Sequence, residues 1–173
     1  FVLSRGAMSI ILHMRKIVSS LQNRKTKSNP SEDKIMSGDD NDLYYHLFRN
    51  SPVGLYQTSP DGEIISANQA LIKMLGYDSL EDLKSINVSE DSYVDANKRD
   101  LFKKIMEENG EVTDFESEWY TKGREVLYVK EGARAVRDSS GEICRYDGAV
   151  ENITYLIHTQ KELIKAKEKA EYN

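Results

Sequence analysis

Three histidines, one cysteine and a dense acidic run are the side chains of this sequence best suited to chemistry. His13 falls in the leading segment, His46 ahead of the first β-prone run and His158 in the helix-prone closing segment, while Cys144 is the sole cysteine. A metal centre needs such ligands at short spacing, and a nucleophile needs a base beside it. These residues are dispersed over separate elements, so neither constellation is expected. Gly38-Asp39-Asp40-Asn41-Asp42 is acidic but lacks the alternating ligands and closing glutamate of a calcium loop. No G-x-x-x-x-G-K-[ST] run is present to cradle a phosphate. Asn87-Val88-Ser89 and Asn152-Ile153-Thr154 match the glycosylation pattern, and the second is explained as a strand-to-helix junction. Catalysis is therefore not expected of this chain.

Composition narrows the class further. At 173 residues and 39% hydrophobic content, the chain can bury one ordinary core and carry flanking segments. A net charge of −5 argues against general nucleic-acid binding. The charge is uneven: Arg5, Arg15, Lys16, Arg24, Lys25 and Lys27 lie in residues 1–28, which hold no acid, so the remainder is more acidic than the whole. A lone cysteine cannot close an internal disulfide, which fits a reducing compartment such as the cytoplasm. No stretch of 18 apolar residues exists, so no complete membrane span is expected. The chain begins at Phe1, as a fragment of a longer protein would.

The elements that must position any site follow from turn chemistry and periodicity. Residues 1–28 place Ala7, Ile11, Met14, Val18 and Leu21 on one stripe, predicting a basic amphipathic helix. Three explanations for it stay open: a signalling helix from an upstream domain or membrane segment, a helix lying on an anionic membrane surface, or a loosely ordered segment. Residues 29–41 are polar and contain Pro30 and Gly38, and read as a linker. A short helix capped by Asp40, Asn41 or Asp42 carries Leu43, Leu47 and Phe48 and ends at Ser51-Pro52.

Residues near 53–58 and 63–67 then form a hairpin around Ser59-Pro60-Asp61-Gly62, where proline presets φ and glycine accepts a positive one. Asn68 is an N-cap, with Leu71, Ile72, Met74 and Leu75 on the apolar side of a helix stopped by Gly76. Ser79 with Asp82 forms a capping box, and a longer helix is predicted over Ser92–Asn109. Three consecutive strands, near 112–121, 125–137 and 143–153, are separated by Lys122-Gly123-Arg124 and Asp138-Ser139-Ser140-Gly141. This order predicts an α+β fold: a five-stranded antiparallel sheet with helices on one face.

Asn50, Gly54, Leu55, Gly62, Ile64, Asn68, Ala70, Gly76 and Tyr77 fall on the opening pattern of a PAS domain, and the chain resembles that family of bacterial sensory modules over residues 42–154. The resemblance continues through Asp138-Ser139-Ser140-Gly141 and Gly148 to Asn152-Ile153-Thr154, where the family usually has Asp-Ile-Thr before its output helix. Asn152 in place of aspartate removes a charge, which puts any salt bridge at that position in doubt. The resemblance implies a PAS-like sheet flanked by N- and C-terminal signalling helices, with Asn152, Ile153 and Thr154 as the signal relay.

Residues 155–173 lack glycine and proline, and Thr154 suits their N-cap. Leu156, Leu163 and Ala170 repeat every seven residues with Thr159 and Ala166 interleaved, a heptad seam suited to a parallel partner helix. A solvated terminal helix is the plainer alternative. The run KELIKAKEKAE also resembles the linker entering the dimerisation helices of sensor histidine kinases.

The resemblance also frames the ligand question. Flavin-binding members use a cysteine in an N-C-R-F helix, whereas Cys144 is on a strand, and haem-binding members use a helix histidine that residues 68–110 lack. Neither flavin nor haem is expected. A small organic ligand of unknown identity could sit between the long helix and the sheet, lined by Tyr56, Met74, Leu101, Phe102, Ile105, Trp119, Leu127 and Val129. Ordinary core packing accounts for the same residues.

Two functions follow. The first is a sensory module relaying a conformational change through its C-terminal helix to an output domain, a histidine kinase of a two-component system, as a homodimer joined by its flanking helices. The second is a ligand-free dimerisation or docking module of a signalling protein such as a diguanylate cyclase. Neither involves nucleic acid, and a membrane enters only through an upstream segment.

Overall fold

The structure, a computed structural model, describes residues 39–171. The expected helix of residues 1–28 and the expected linker up to residue 38 lie outside the described residues, as do residues 172 and 173. Five strands, β1 (Gly54–Thr58), β2 (Ile64–Ala67), β3 (Glu111–Tyr120), β4 (Val126–Arg137) and β5 (Ile143–Asn152), form an antiparallel sheet in the order β2-β1-β5-β4-β3. The first hairpin and the last strand thus meet at the centre. The helices are α1 (Asp39–Asn50), α2 (Gln69–Met74), α3 (Leu80–Leu83), α4 (Ala96–Asn109) and α5 (Thr154–Glu171), with a π-helical turn at Val88–Ser92. The α+β fold expected from the sequence is the fold observed. Helix α1 takes in residues 39–41, which the sequence had assigned to the linker.

The predicted turn chemistry builds the first hairpin. Gly62 sits at φ +96° and its N–H donates to the Ser59 carbonyl at 3.1 Å, and a side chain there would also collide with Ser89 and Asn87. Asn68 does more than cap α2. Its Oδ1 accepts from Leu71 N at 3.1 Å and from Leu55 N at 2.9 Å, while its Nδ2 donates to the carbonyls of Phe48 and Val53. One buried side chain therefore ties α1, β1 and α2 together.

The long helix is shorter than expected. It starts at Ala96, capped by Asp95 Oδ1 on Asn97 N, and Ser92 ends the preceding π-helical turn instead. Val94, inside that expected range, lies before the helix instead, and its N–H donates to the carbonyl of Glu118 in β3 at 2.9 Å. Pairing with the sheet edge wins over helical propensity there.

The main core lies between α2, α3 and α4 and one face of the sheet, around Leu71, Leu83, Phe102, Met106, Val129 and Val150, each at most 2% exposed. Burying each such side chain contributes about 1.5–3 kcal/mol. A bulge between Val112 and Phe115, with Asp114 at φ +52°, keeps both apolar residues on that face although they are three apart. On the opposite face, Leu55 and Ala149 pack beneath Phe48 of α1.

Candidate functional site

The strand alternation that sends Leu55 towards α1 sends Tyr56 into the main core. Tyr56 stands opposite Gly148 of β5, and a Cβ at position 148 would overlap the tyrosine ring. The missing side chain lets the ring cross β5, so that the Tyr56 hydroxyl donates to Glu131 Oε1 on β4. Tyr93, from the segment before α4, donates its hydroxyl to Glu131 Oε2 at 2.9 Å. Arg99 of α4 completes the cluster: its guanidinium lies 5.8 Å from the Tyr93 ring centroid, 5.1 Å from that of Phe102 and 6.0 Å from that of Tyr146, and its Nε donates to Ser89 Oγ at 3.1 Å.

Glu131 is 1% exposed and Arg99 4%. Burying a carboxylate costs several kcal/mol unless it is paired and hydrogen-bonded. Desolvation pushes the Glu131 carboxyl above its usual range, opposed by the two tyrosine hydrogen bonds and the charge of Arg99. Burial, then the Glu131 charge, pushes both Tyr56 and Tyr93 well above the ordinary phenol value, so both keep their protons and act as donors. Arg99 Nη2, Ser117 Oγ and Trp119 Nε1 are buried polar atoms without a hydrogen-bond partner among the described residues.

The expected ligand-lining residues divide. Tyr56, Phe102, Trp119 and Val129 are buried in the core, and Met74, Ile105 and Leu127 pack against it half-buried. Leu101 is 46% exposed and does not line the interior. The α4 residues that face inward are Arg99, Phe102 and Met106, and Leu101 is turned by about 100° from Phe102. The core is filled in part by Tyr93, whose ring lies 5.5 Å from that of Trp119.

Ile153 and Thr154 converge on one residue of β4, Tyr128, and Asn152 bonds to Thr154. Ile153 N donates to the Tyr128 carbonyl at 2.8 Å, and Tyr128 N donates to Thr154 Oγ1 at 2.9 Å. Asn152 Oδ1 accepts from Thr154 N at 3.0 Å. Thr154, expected as the N-cap of the closing helix, instead spends its hydroxyl on the sheet. Beyond this root α5 has no buried residue: Leu156, Thr159, Leu163, Ala166 and Ala170 all lie exposed along it. Cys144 is exposed on β5, with its thiol directed at the Val136 carbonyl. Among the described residues there is no group of three metal-ligating side chains and no helix long and apolar enough to cross a membrane.

Glu131, Tyr93 and Arg99 were missed from the sequence. One signal was available. Within β4, Val129, Glu131 and Ala133 share the inward phase, so a glutamate interrupts an apolar row.

The family model described as PAS domain matches residues 52–155. Among solved structures, an RNA-binding Light-Oxygen-Voltage receptor aligns with TM-score 0.62 at 16% identity, over 80% of this chain and 40% of that one, so this chain spans less than half of that receptor. A PAS domain from a two-component sensor histidine kinase aligns with TM-score 0.56 at 18% identity, over 65% of this chain and 96% of that one. The PAS domain of a protein from Colwellia psychrerythraea aligns with TM-score 0.59 at 18% identity, over 68% and 99%. At these identities the likeness shows the fold. No curated protein matches the sequence at a significant level.

Proposed function

This chain belongs to the PAS domain family, and on that premise we propose that it is a sensory module that passes a conformational change from its core through Asn152, Ile153 and Thr154 into α5 and on to an output domain, a histidine kinase of a two-component system. The observation that carries this reading is the mounting of α5. Its root is bound to β4 through Tyr128, while its remaining length has no buried residue, so movement of the strand reaches the helix with little to oppose it. The kinase assignment draws support from the similarity to the sensor-kinase PAS domain. In this reading the exposed seam of Leu156, Leu163 and Ala170 meets a second copy of the chain, and the module works without flavin or haem in a reducing cytoplasm, a membrane entering only through an upstream segment.

The second reading, a ligand-free dimerisation or docking module, has its own support in a core occupied by Tyr56, Tyr93, Phe102 and Trp119, each 6% exposed or less. Helix phase separates the two. With the chain fused through α5 to the catalytic core of a histidine kinase, inserting one residue after Ala166 turns the downstream helix by about 100°, while inserting seven nearly restores its phase. A relay predicts autophosphorylation that changes with the first insertion and recovers with the second. Activity indifferent to phase would favour the passive module.

A further inference from the structure

Glu131 sits on the strand that holds the output helix, and that connection gives its buried charge a use. Val129, Glu131 and Ala133 face the core, whereas Tyr128 lies towards α5, its ring centroid 6.1 Å from that of His158 and 4.9 Å from Lys161 Nζ. The same Tyr128 backbone binds Ile153 and Thr154. The titratable and charged groups facing Glu131 are Tyr56 from β1, Tyr93 from the segment before α4, and Arg99 from α4, with Tyr146 of β5 flanking Arg99.

Counting hydrogens in this cluster gives two states. An ionised Glu131 accepts one hydrogen bond at each oxygen and faces the Arg99 cation. Once protonated, it has to donate to one of the two tyrosine oxygens; the hydroxyl hydrogen of that tyrosine then has no acceptor within the cluster, and Arg99 faces a neutral acid. Tyr56 cannot give way easily, because β1 is paired on both sides and the ring is bedded over Gly148. Tyr93 can, since it lies outside the named strands and is joined to β3 by an isolated bridge to Trp119.

We propose that Glu131 is the positioning residue of the relay: gain of its proton breaks the Tyr93 bond and loss of the proton makes it, and this resets β4 and the root of α5. The proposal rests on the sensory reading above, and the stimulus it names is a proton. Burial, by raising the Glu131 carboxyl, moves its titration in the direction of physiological pH.

Trp119 provides the readout, because it is the only tryptophan, is 3% exposed and packs at a tilt against Tyr93. Its emission would be followed from about pH 8 to about pH 4, a range spanning ordinary and raised glutamate values, with circular dichroism to mark unfolding and amide exchange at Tyr128 and Thr154. The expected result is a one-proton change in emission while the fold is intact, lost in Glu131→Gln, with lower protection at those two amides, relative to the intrinsic exchange rate at each pH, on the acid side. In Tyr93→Phe the bond that the proton switches is gone, so protection at the Tyr128 and Thr154 amides should no longer respond to pH; this variant carries the test if Glu131→Gln does not fold.

An emission change retained in Glu131→Gln, Tyr128 and Thr154 amides that still respond to pH in Tyr93→Phe, or no change before unfolding overturns the proposal. So does a change at Trp119 that leaves the Tyr128 and Thr154 amides untouched. If all of these behave as expected and the kinase fusion ignores helix phase, it is the sensory reading that fails.

Discussion

Tyr56 and Gly148 face each other across β1 and β5, and the ring of the first occupies the volume a side chain on the second would need. Gly148 is therefore required for space rather than for backbone freedom. Through that gap, three strands are joined by the hydrogen bond to Glu131.

Gly148→Ala should displace the ring and break that bond, leaving a buried carboxylate short of a donor. The expected loss is about 2–4 kcal/mol of stability, from overpacking and an unmet buried polar group. Urea denaturation checks it, and adding Tyr56→Phe should cost less in the Gly148→Ala background than in wild type. Equal costs in both backgrounds would mean the two residues are not coupled.

Asn68→Ala removes a cap and two donor bonds at once. The Leu55 N–H and the Phe48 and Val53 carbonyls lose their partner, so a loss of about 3 kcal/mol is expected, more than an exposed N-cap gives. Thermal unfolding measures this. A loss below about 1 kcal/mol would place Asn68 among ordinary surface caps.

Leu163, 70% exposed, is central in the heptad seam. Leu163→Glu should abolish or weaken pairing of α5 with a second copy and leave the domain folded, since the side chain contributes nothing to the core. Sedimentation velocity decides between the outcomes. A monomeric wild type at high concentration, or a variant that pairs as tightly, removes the seam from the account.

Stability should depend on pH in a direction set by Glu131. Burial raises its folded pKa above that of an ordinary glutamate, so as pH rises the unfolded chain releases this proton first. The contribution is fully present below the unfolded pKa and is lost as pH rises through the folded one. Glu131→Gln should flatten the slope in that window. Asp82 and Asp138 act oppositely: hydrogen bonds, to Lys122 and to Ser140 respectively, lower their carboxyls, so their contribution falls away only as pH drops through the acid range. Denaturant midpoints taken across pH in wild type and variant test the assignment, and parallel curves would refute it.

Local chemistry made much of this molecule legible in the sequence by itself. Pro60 and Gly62 specify a hairpin, Asn68 a cap, Gly76 and Gly110 helix ends, and the turns at Lys122-Gly123-Arg124 and Asp138-Ser139-Ser140-Gly141 the three closing strands, because each depends on residues only a few positions apart. The heptad seam of α5 was visible for the same reason. What only the tertiary structure decided depends on contacts between distant parts of the chain. Tyr56 and Glu131 are 75 residues apart, Tyr93 and Glu131 38, and the edge of β3 delayed the start of the predicted long helix by claiming Val94. Leu101 and Phe102 look alike in composition, but the rotation of α4 against the sheet buries one and leaves the other in solvent. A glutamate on the inward phase of β4 is a local anomaly. Its bond with Tyr56 exists only because β5 runs between β1 and β4 and carries, at position 148, no side chain.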